Sequence, residues 1–204
     1  MLEKWKSYKK NCYIGLGLIL SIILAGCAIG IGMSKVETPD YEVISSFKNI
    51  EVREYSSMII AEVSVEGNRT QSVGDGFRLL ADYIFGNNIG KEKIAMTAPV
   101  QQQQSFEKNW EIRFVMPSDY AMDNLPKPQN TKVKIKEVPA HQCILIQFSG
   151  ARSDKNLDKN LTKLMDYIEK NEIKLTGSPI YAFYDPPWIP SFMRRNEIMF
   201  TIDK

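Results

Sequence analysis

Val73-Gly74-Asp75-Gly76-Phe77-Arg78-Leu79-Leu80-Ala81-Asp82-Tyr83-Ile84 has a counterpart further along the chain, Leu157-Asp158-Lys159-Asn160-Leu161-Thr162-Lys163-Leu164-Met165-Asp166-Tyr167-Ile168. Val73, Phe77, Leu80, Ala81 and Ile84 align with Leu157, Leu161, Leu164, Met165 and Ile168 at a constant spacing of 84 residues (157 − 73 through 168 − 84). Asp82-Tyr83 recurs as Asp166-Tyr167 at the same offset. Apolar residues spaced this way line one face of a helix. Two such stripes in register predict a duplicated unit. The period exceeds the roughly 20–50 residues of a solenoid repeat, so the two copies belong to one domain.

Strand-like segments flank each helix in matching order. Ile50–Tyr55 and Met58–Val63 precede the first helix; Lys136–Val138 and Cys143–Phe148 precede the second. Lys93–Thr97 and Glu111–Val115 follow the first, and Ile180–Tyr184 and Glu197–Thr201 the second. Ile112, Phe114 and Met116 alternate with Glu111, Arg113 and Val115, the period of a half-buried strand. Gly67 and Gly150 close the strand regions ahead of the helices. Each half therefore reads strand–helix–strand–strand. Two βαββ halves predict an α+β domain, a sheet or open barrel with one helix per half. The cleft between the halves is the natural place for a ligand.

The bulk composition is that of a folded protein: 204 residues, 44% hydrophobic and 25% charged. Of the net charge of +2, the first ten residues contribute +3 (Lys4, Lys6, Lys9 and Lys10 against Glu3), leaving the remainder near −1. Such a balance predicts no nucleic-acid surface. Of the three cysteines, Cys12, Cys27 and Cys143, only Cys143 lies beyond the N-terminal segment, in an apolar strand suited to a buried, inert thiol.

Residues 1–33 read as a membrane anchor or export signal, 34–40 as a tether, and 41–204 as the folded domain. From Asn11 to Ser34 there is no charged residue, and Lys9-Lys10 sit immediately before the run. About 20 apolar residues span a bilayer, and the lysines would hold the N-terminus of such a helix in the cytoplasm. The same features describe an export signal. Leu24-Ala25-Gly26-Cys27 resembles a bacterial lipobox, in which Cys27 is lipidated and becomes the mature N-terminus. Either reading places the domain on the extracytoplasmic (periplasmic) side of a membrane, as a lipoprotein or a single-pass protein.

The residues offer little catalytic chemistry. His141 is the single histidine, too few for a zinc cluster or a Cys/His dyad. No nucleophile elbow, P-loop or dinucleotide fingerprint is present. The expectation is a protein that binds rather than catalyses. Glu54, Tyr55 and His141 are the polar groups that an enzyme acting on a pocket-bound compound would use. The aromatic and sulfur side chains Met58, Phe77, Tyr83, Phe85, Met96, Phe183, Tyr184 and Trp188 are expected at the helix–strand seams. They would suit an amphipathic ligand, a lipid or another effector, with charged edges held by basic side chains at the rim.

Two segments carry a specific likeness. Lys93-Ile94-Ala95-Met96-Thr97-Ala98-Pro99-Val100 resembles the K-I-x-M-T-x-P-V segment of the SOUL haem-binding family. Tyr184-Asp185-Pro186-Pro187, then Pro190 and Arg194-Arg195-Asn196-Glu197, resembles its closing Y-D-P-P…R-R-N-E element. Tyr41-Glu42-Val43 and Glu51-Val52-Arg53-Glu54-Tyr55 match its opening strands, so the likeness spans about Tyr41 to Asp203. It implies two βαββ repeats packed as a distorted β-barrel with two helices, kinship with bacterial effector-binding domains, and haem or another tetrapyrrole as ligand. Histidine-ligated members carry R-H-Y where this chain has Arg53-Glu54-Tyr55. His141 then stands as the candidate metal ligand, with Met96 and Tyr55 as further candidates. Other members hold the porphyrin with basic residues on the first helix, where this chain offers Arg78 beside Phe77. His141 lies 86 residues after Tyr55 (141 − 55), which suggests the equivalent place in the second half.

Overall fold

The computed structural model describes residues 36–105 and 107–203. The expected anchor or signal over residues 1–33, with Cys27, lies outside these residues. The strands are β1 (Tyr41–Phe47), β2 (Ile50–Tyr55), β3 (Met58–Val65), β4 (Val100–Gln104), β5 (Trp110–Val115), β6 (Lys134–Val138), β7 (His141–Phe148), β8 (Leu175–Phe183) and β9 (Asn196–Ile202). The helices are α1 (Arg69–Ile84) and α2 (Asp154–Lys170), with one 3₁₀ turn at Ser191–Met193. Residues 37–40, expected as tether, lie along the domain. The Glu37 carbonyl accepts from Ala98 N, and its carboxylate accepts from Ser118 N.

The first helix begins where the sequence supplies a cap. The Asn68 side chain accepts from Gln71 N at 3.0 Å, satisfying one of the free donors of the α1 N-terminus. Asp154 in the first turn of α2 and Lys170 in its last turn oppose the helix dipole favourably. Gly67 and Gly150 adopt φ of +121° and +114°, a region open to glycine, and they turn the chain from β3 and β7 toward the helices.

The strand order is β1-β2-β7-β9-β8-β4-β5-β3-β6, and every pairing is antiparallel. Leaving out β1, this order is the same read from either end: β2-β7-β9-β8 mirrors β6-β3-β5-β4. The approximate dyad passes through the β4·β8 pairing, where Gln101 faces Ala182 and Gln102 faces Tyr181. The opening strands are exchanged between the halves: β2 pairs with β7, and its counterpart β6 pairs with β3. Tyr55 opposite His141 has its mirror in Val138 opposite Met58, an offset of 83 (138 − 55 and 141 − 58). His141 is thus the counterpart of Met58 and the ladder partner of Tyr55, which corrects the equivalence expected from spacing.

Both stripes bury their centres. Leu80, Tyr83 and Ile84 of α1 pack on Ala61, Val63, Ile112 and Phe114. Leu157, Leu164 and Ile168 of α2 pack on Ile144, Ile146, Ile198 and Phe200. Each fully buried Leu, Ile or Phe is worth about 1.5–3 kcal/mol, so these two clusters clamp the helices to one face of the sheet. Phe77 and Met165 stay partly exposed at the stripe edges. The opposite face carries a third cluster of Tyr55, Cys143, Leu145, Ile180, Ala182 and Met199.

Two expectations need correction. Lys93–Thr97 is not a strand. Ile94 N bonds to Ile84 O at the end of α1, Ile94 is buried under that helix, and pairing starts only at Val100, after the cis Ala98–Pro99 bond. A proline lacks the ladder donor, so the strand begins beyond it. The distorted barrel is an open nine-stranded sheet among the described residues, with β1 and β6 as its edges. The α+β class and the two βαββ units stand.

Candidate functional site

Side chains alternate faces along a strand, and this places a cavity on the sheet face opposite the helices. It measures about 270 Å³ and crosses the dyad, with residues from both halves. Met58, Ile60, Val138, Ile180 and Met199 form its apolar wall, and Gln101, Gln103, Arg113, His141 and Thr201 its polar one. Tyr55 lies at its edge, with its ring stacked on His141 at 5.7 Å between centroids and 19° between planes. The ladder dictates this stacking, because Tyr55 and His141 sit directly opposite each other on β2 and β7.

His141 is oriented by its own chain. Nδ1 lies 2.8 Å from the Pro139 carbonyl. A carbonyl only accepts, so Nδ1 donates here, and in the neutral imidazole Nε2 then holds the lone pair that can ligate a metal. Arg113 is held by the carboxylates of Glu62 and Glu111, and donates to Gln103 Oε1 at 2.7 Å. Gln103 in turn donates to Ser178 O at 2.8 Å. These bonds fix Arg113 and Gln103 within the polar wall.

Below Tyr55 lies a buried ionic network. Glu197, with no exposed surface, accepts from Arg53 Nη1, from Arg195 Nε and Nη2, and from the Tyr184 hydroxyl at 2.8 Å. Arg53 also pairs with Glu51 at 2.6 Å, bonds the Tyr55 hydroxyl at 3.2 Å and stacks under the Tyr41 ring. Burial, with the nearby Glu197 charge, pushes the Tyr55 phenol up to about 12. Burial is also the main cause that pushes the Cys143 thiol up to about 11, which matches the inert role expected of it. The Arg195-Asn196-Glu197 part of the closing motif thus cross-links the fold.

Of the five candidate ligand-binding side chains, the structure brings Tyr55 and His141 together. Met96 lies exposed on the segment before β4, Arg78 is exposed and paired with Asp75, and Phe77 packs edge-on against Phe114 on the helix side. The aromatic set disperses likewise: Tyr83 is core, Phe85 and Trp188 are exposed, and Met58 lines the cavity. Glu54 points to the opposite sheet face from Tyr55 and contacts Gln142. Glu54, Tyr55 and His141 therefore do not converge. Gln101, Gln103, Arg113, Met199 and Thr201 were missed by sequence reasoning. The run of four glutamines from Gln101 to Gln104, inside a strand, was the available signal.

Two further hollows flank the site. One of about 620 Å³ shares Met58 with the first and has an apolar floor of Ile59, Val115 and Met116. Its rim carries Glu37, Asp40, Asp123 and Glu137, and its lining holds no basic side chain. The other, about 1190 Å³, is an open trough beside α1 where Arg78, Lys132, Lys134 and Lys136 mix with five carboxylates. Among the described residues, no His, Tyr, Met or Cys lines that trough. In the central cavity, His141 and Met58 are of the residue types that ligate haem iron, while the Tyr55 hydroxyl is taken by Arg53. The volume falls below the roughly 300–1,000 Å³ of small-molecule sites, so the cavity encloses part of a macrocycle at most.

A family model described as SOUL heme-binding protein matches residues 36–201. No curated protein matches the sequence. Among solved structures, the EcmrR C-terminal domain superposes with a TM-score of 0.56 at 16% identity, over 80% of this chain and 98% of that one. EcmrR in its complex with DNA gives 0.58 at 18% identity, with 76% of this chain covered and only 57% of that one. A hydrolase from Listeria innocua gives 0.51 at 10% identity, over 78% of this chain and 94% of that one. At such identities these likenesses establish the fold alone.

Proposed function

The chain belongs to the SOUL haem-binding protein family, and on that premise we propose that it binds haem or a related tetrapyrrole, without catalysis, at the central cavity. One observation carries the reading: the single histidine stands at a cavity across the dyad with Nε2 free and Nδ1 anchored to Pro139. In this reading His141 would hold the iron, and Tyr55 braces the imidazole by stacking on it. When bound, haem supplies the iron centre; the chain supplies orientation and an apolar wall. Titration of the full chain in detergent with hemin tests it. A saturable Soret change is expected, altered in position and weakened in His141→Ala. An unchanged titration in that variant would sink the assignment, and no saturable change at all would remove haem.

The N-terminal segment tethers the domain to a membrane on the extracytoplasmic side in this proposal, as a lipoprotein through Cys27 or as an uncleaved span. Among the described residues no helix is long and apolar enough to cross a membrane, and residues 1–33 lie outside them. Labelling with a radioactive fatty acid separates the two forms, because label lost in Cys27→Ala means lipidation.

A second reading rests on the 620 Å³ hollow. An apolar floor under four carboxylates, with no base in the lining, suits an amphipathic small molecule bearing positive charge. In a thermal-shift comparison, a hydrophobic cation should stabilise the chain and an anion of like body should not. Equal shifts would dismiss it.

A further inference from the structure

The sheet face that carries the helices holds its own polar feature, independent of the cavity on the other face. Among the described residues, five buried side-chain atoms lack a hydrogen-bond partner: Arg69 Nε, Arg152 Nε, Gln102 Oε1, Asn196 Oδ1 and Ser105 Oγ. The first four gather at the seam between the halves. Gln102 is the direct ladder partner of Tyr181, and Asn196 that of Phe183, so all four side chains share one face. The Arg69 guanidinium lies 5.3 Å from the Tyr181 ring and 5.8 Å from Phe183, and Arg152 lies 4.7 Å from the same Phe183. Arg69 opens α1, and Arg152 stands two residues before α2; Arg69 Nη1 bridges to Asp154 at 3.1 Å. Both helix N-termini, each worth about half a positive charge, therefore meet here.

The arginines here crowd one another. Arg152 lies near Arg69, Arg194 and Asp185; its own bond goes to the Asp185 carbonyl, while Arg194 donates to the carbonyls of Ile189 and Pro187. Burial first, then the two neighbouring arginines, lowers the Arg152 pKa. Three guanidinium groups thus face the carboxylates of Asp154, Asp158 and Asp185, and the two helix N-termini tip the seam toward positive. Gln102 and Asn196, with 3% and 0% of their surface exposed, add buried acceptors that call for a proton donor. A ligand that suits this seam is negatively charged, takes hydrogen bonds from arginine, and donates one of its own. A fully deprotonated oxyanion meets the first two demands and fails the third.

We propose that the seam between the helix N-termini binds a hydrogen-bearing phosphate, free or at the end of a monoester. Arg69 and Arg152 donate from Nε to its oxygens, and Gln102 accepts from its hydroxyl, with Asn196 as the neighbouring acceptor. The aromatic floor of Tyr181 and Phe183 holds both guanidinium planes in place.

Calorimetry and thermal shift on the full chain in detergent test this, in chloride buffer at constant ionic strength. Inorganic phosphate is expected to bind and raise Tm, and sulfate, with no proton to donate, to bind about tenfold more weakly or less. Glycerol phosphate binding as well as inorganic phosphate assigns the monoester source; its exclusion assigns the free ion. Arg152→Met should weaken phosphate about tenfold or more, and Gln102→Leu should erase the preference over sulfate while both anions still bind. If Arg152→Met does not fold, Gln102→Leu with the phosphate–sulfate comparison on the parent chain decides alone. No stabilisation beyond chloride, equal affinity for sulfate, or a crystal grown in phosphate showing only water against these four atoms overturns it. A failed hemin titration leaves this result untouched, because the two sites lie on opposite sheet faces.

Discussion

Glu197 is a buried charge that ties several strands together. Two arginines and a tyrosine converge on its fully buried carboxylate. Glu197→Gln preserves shape but leaves Arg53, which is 1% exposed, with Glu51 as its remaining carboxylate partner. Breaking a buried pair from one side costs about 3–5 kcal/mol, so the urea midpoint should fall accordingly. Glu62 behaves differently. Its burial raises the carboxyl pKa, but the bonds from Lys136 and Arg113 outweigh this and leave it lowered. A group whose folded pKa lies below its unfolded one stabilises the protein above the unfolded value, and that contribution is lost as pH falls through the folded value. The acid limb of a stability–pH profile should thus flatten in Glu62→Gln. Cys143, fully buried with a raised pKa, should resist Ellman's reagent until the chain unfolds.

At the scale of elements, α1 offers a controlled comparison. A Cβ on Gly76 would lie 2.8 Å from Ile112 Cγ1, whereas one on Gly74 meets nothing within 4 Å. Alanine is favoured over glycine in a helix by about 1 kcal/mol. Overpacking a filled core costs about 1–3 kcal/mol. Gly74→Ala should therefore raise stability by about 1 kcal/mol, and Gly76→Ala should forfeit that gain and lower stability by up to about 2 kcal/mol. Equal shifts in the two denaturation midpoints would mean that α1 does not press on β5 at Gly76.

Over the whole molecule, the exchanged opening strands tie the halves together. β2 has no partner in its own half beyond the edge strand β1, and β6 pairs only with β3 of the other half. Neither half can complete its sheet alone. Full-chain unfolding should be a single transition with coincident far-UV circular dichroism and tyrosine–tryptophan fluorescence. A fragment ending before β6 should lack cooperative unfolding. Two resolved transitions would show that the halves are separable.

The amino-acid sequence by itself determined the duplication, the two helices and most of the strands, because helical and strand periods are local properties that each segment displays on its own. Leu80 and Leu164 could be placed in cores from spacing alone. It also determined the family, through two long motifs. Pairing was decided only in three dimensions. Nothing in Ile50–Tyr55 reveals that its partner is His141–Phe148 of the other half, since a strand's ladder groups are backbone atoms common to every residue. That exchange set Tyr55 against His141. The β4·β8 and β8·β9 pairings gathered Arg69, Gln102, Arg152 and Asn196, spread over more than half the chain, at one seam, where the meeting of helix termini and ladder register created chemistry that none of the four carries alone.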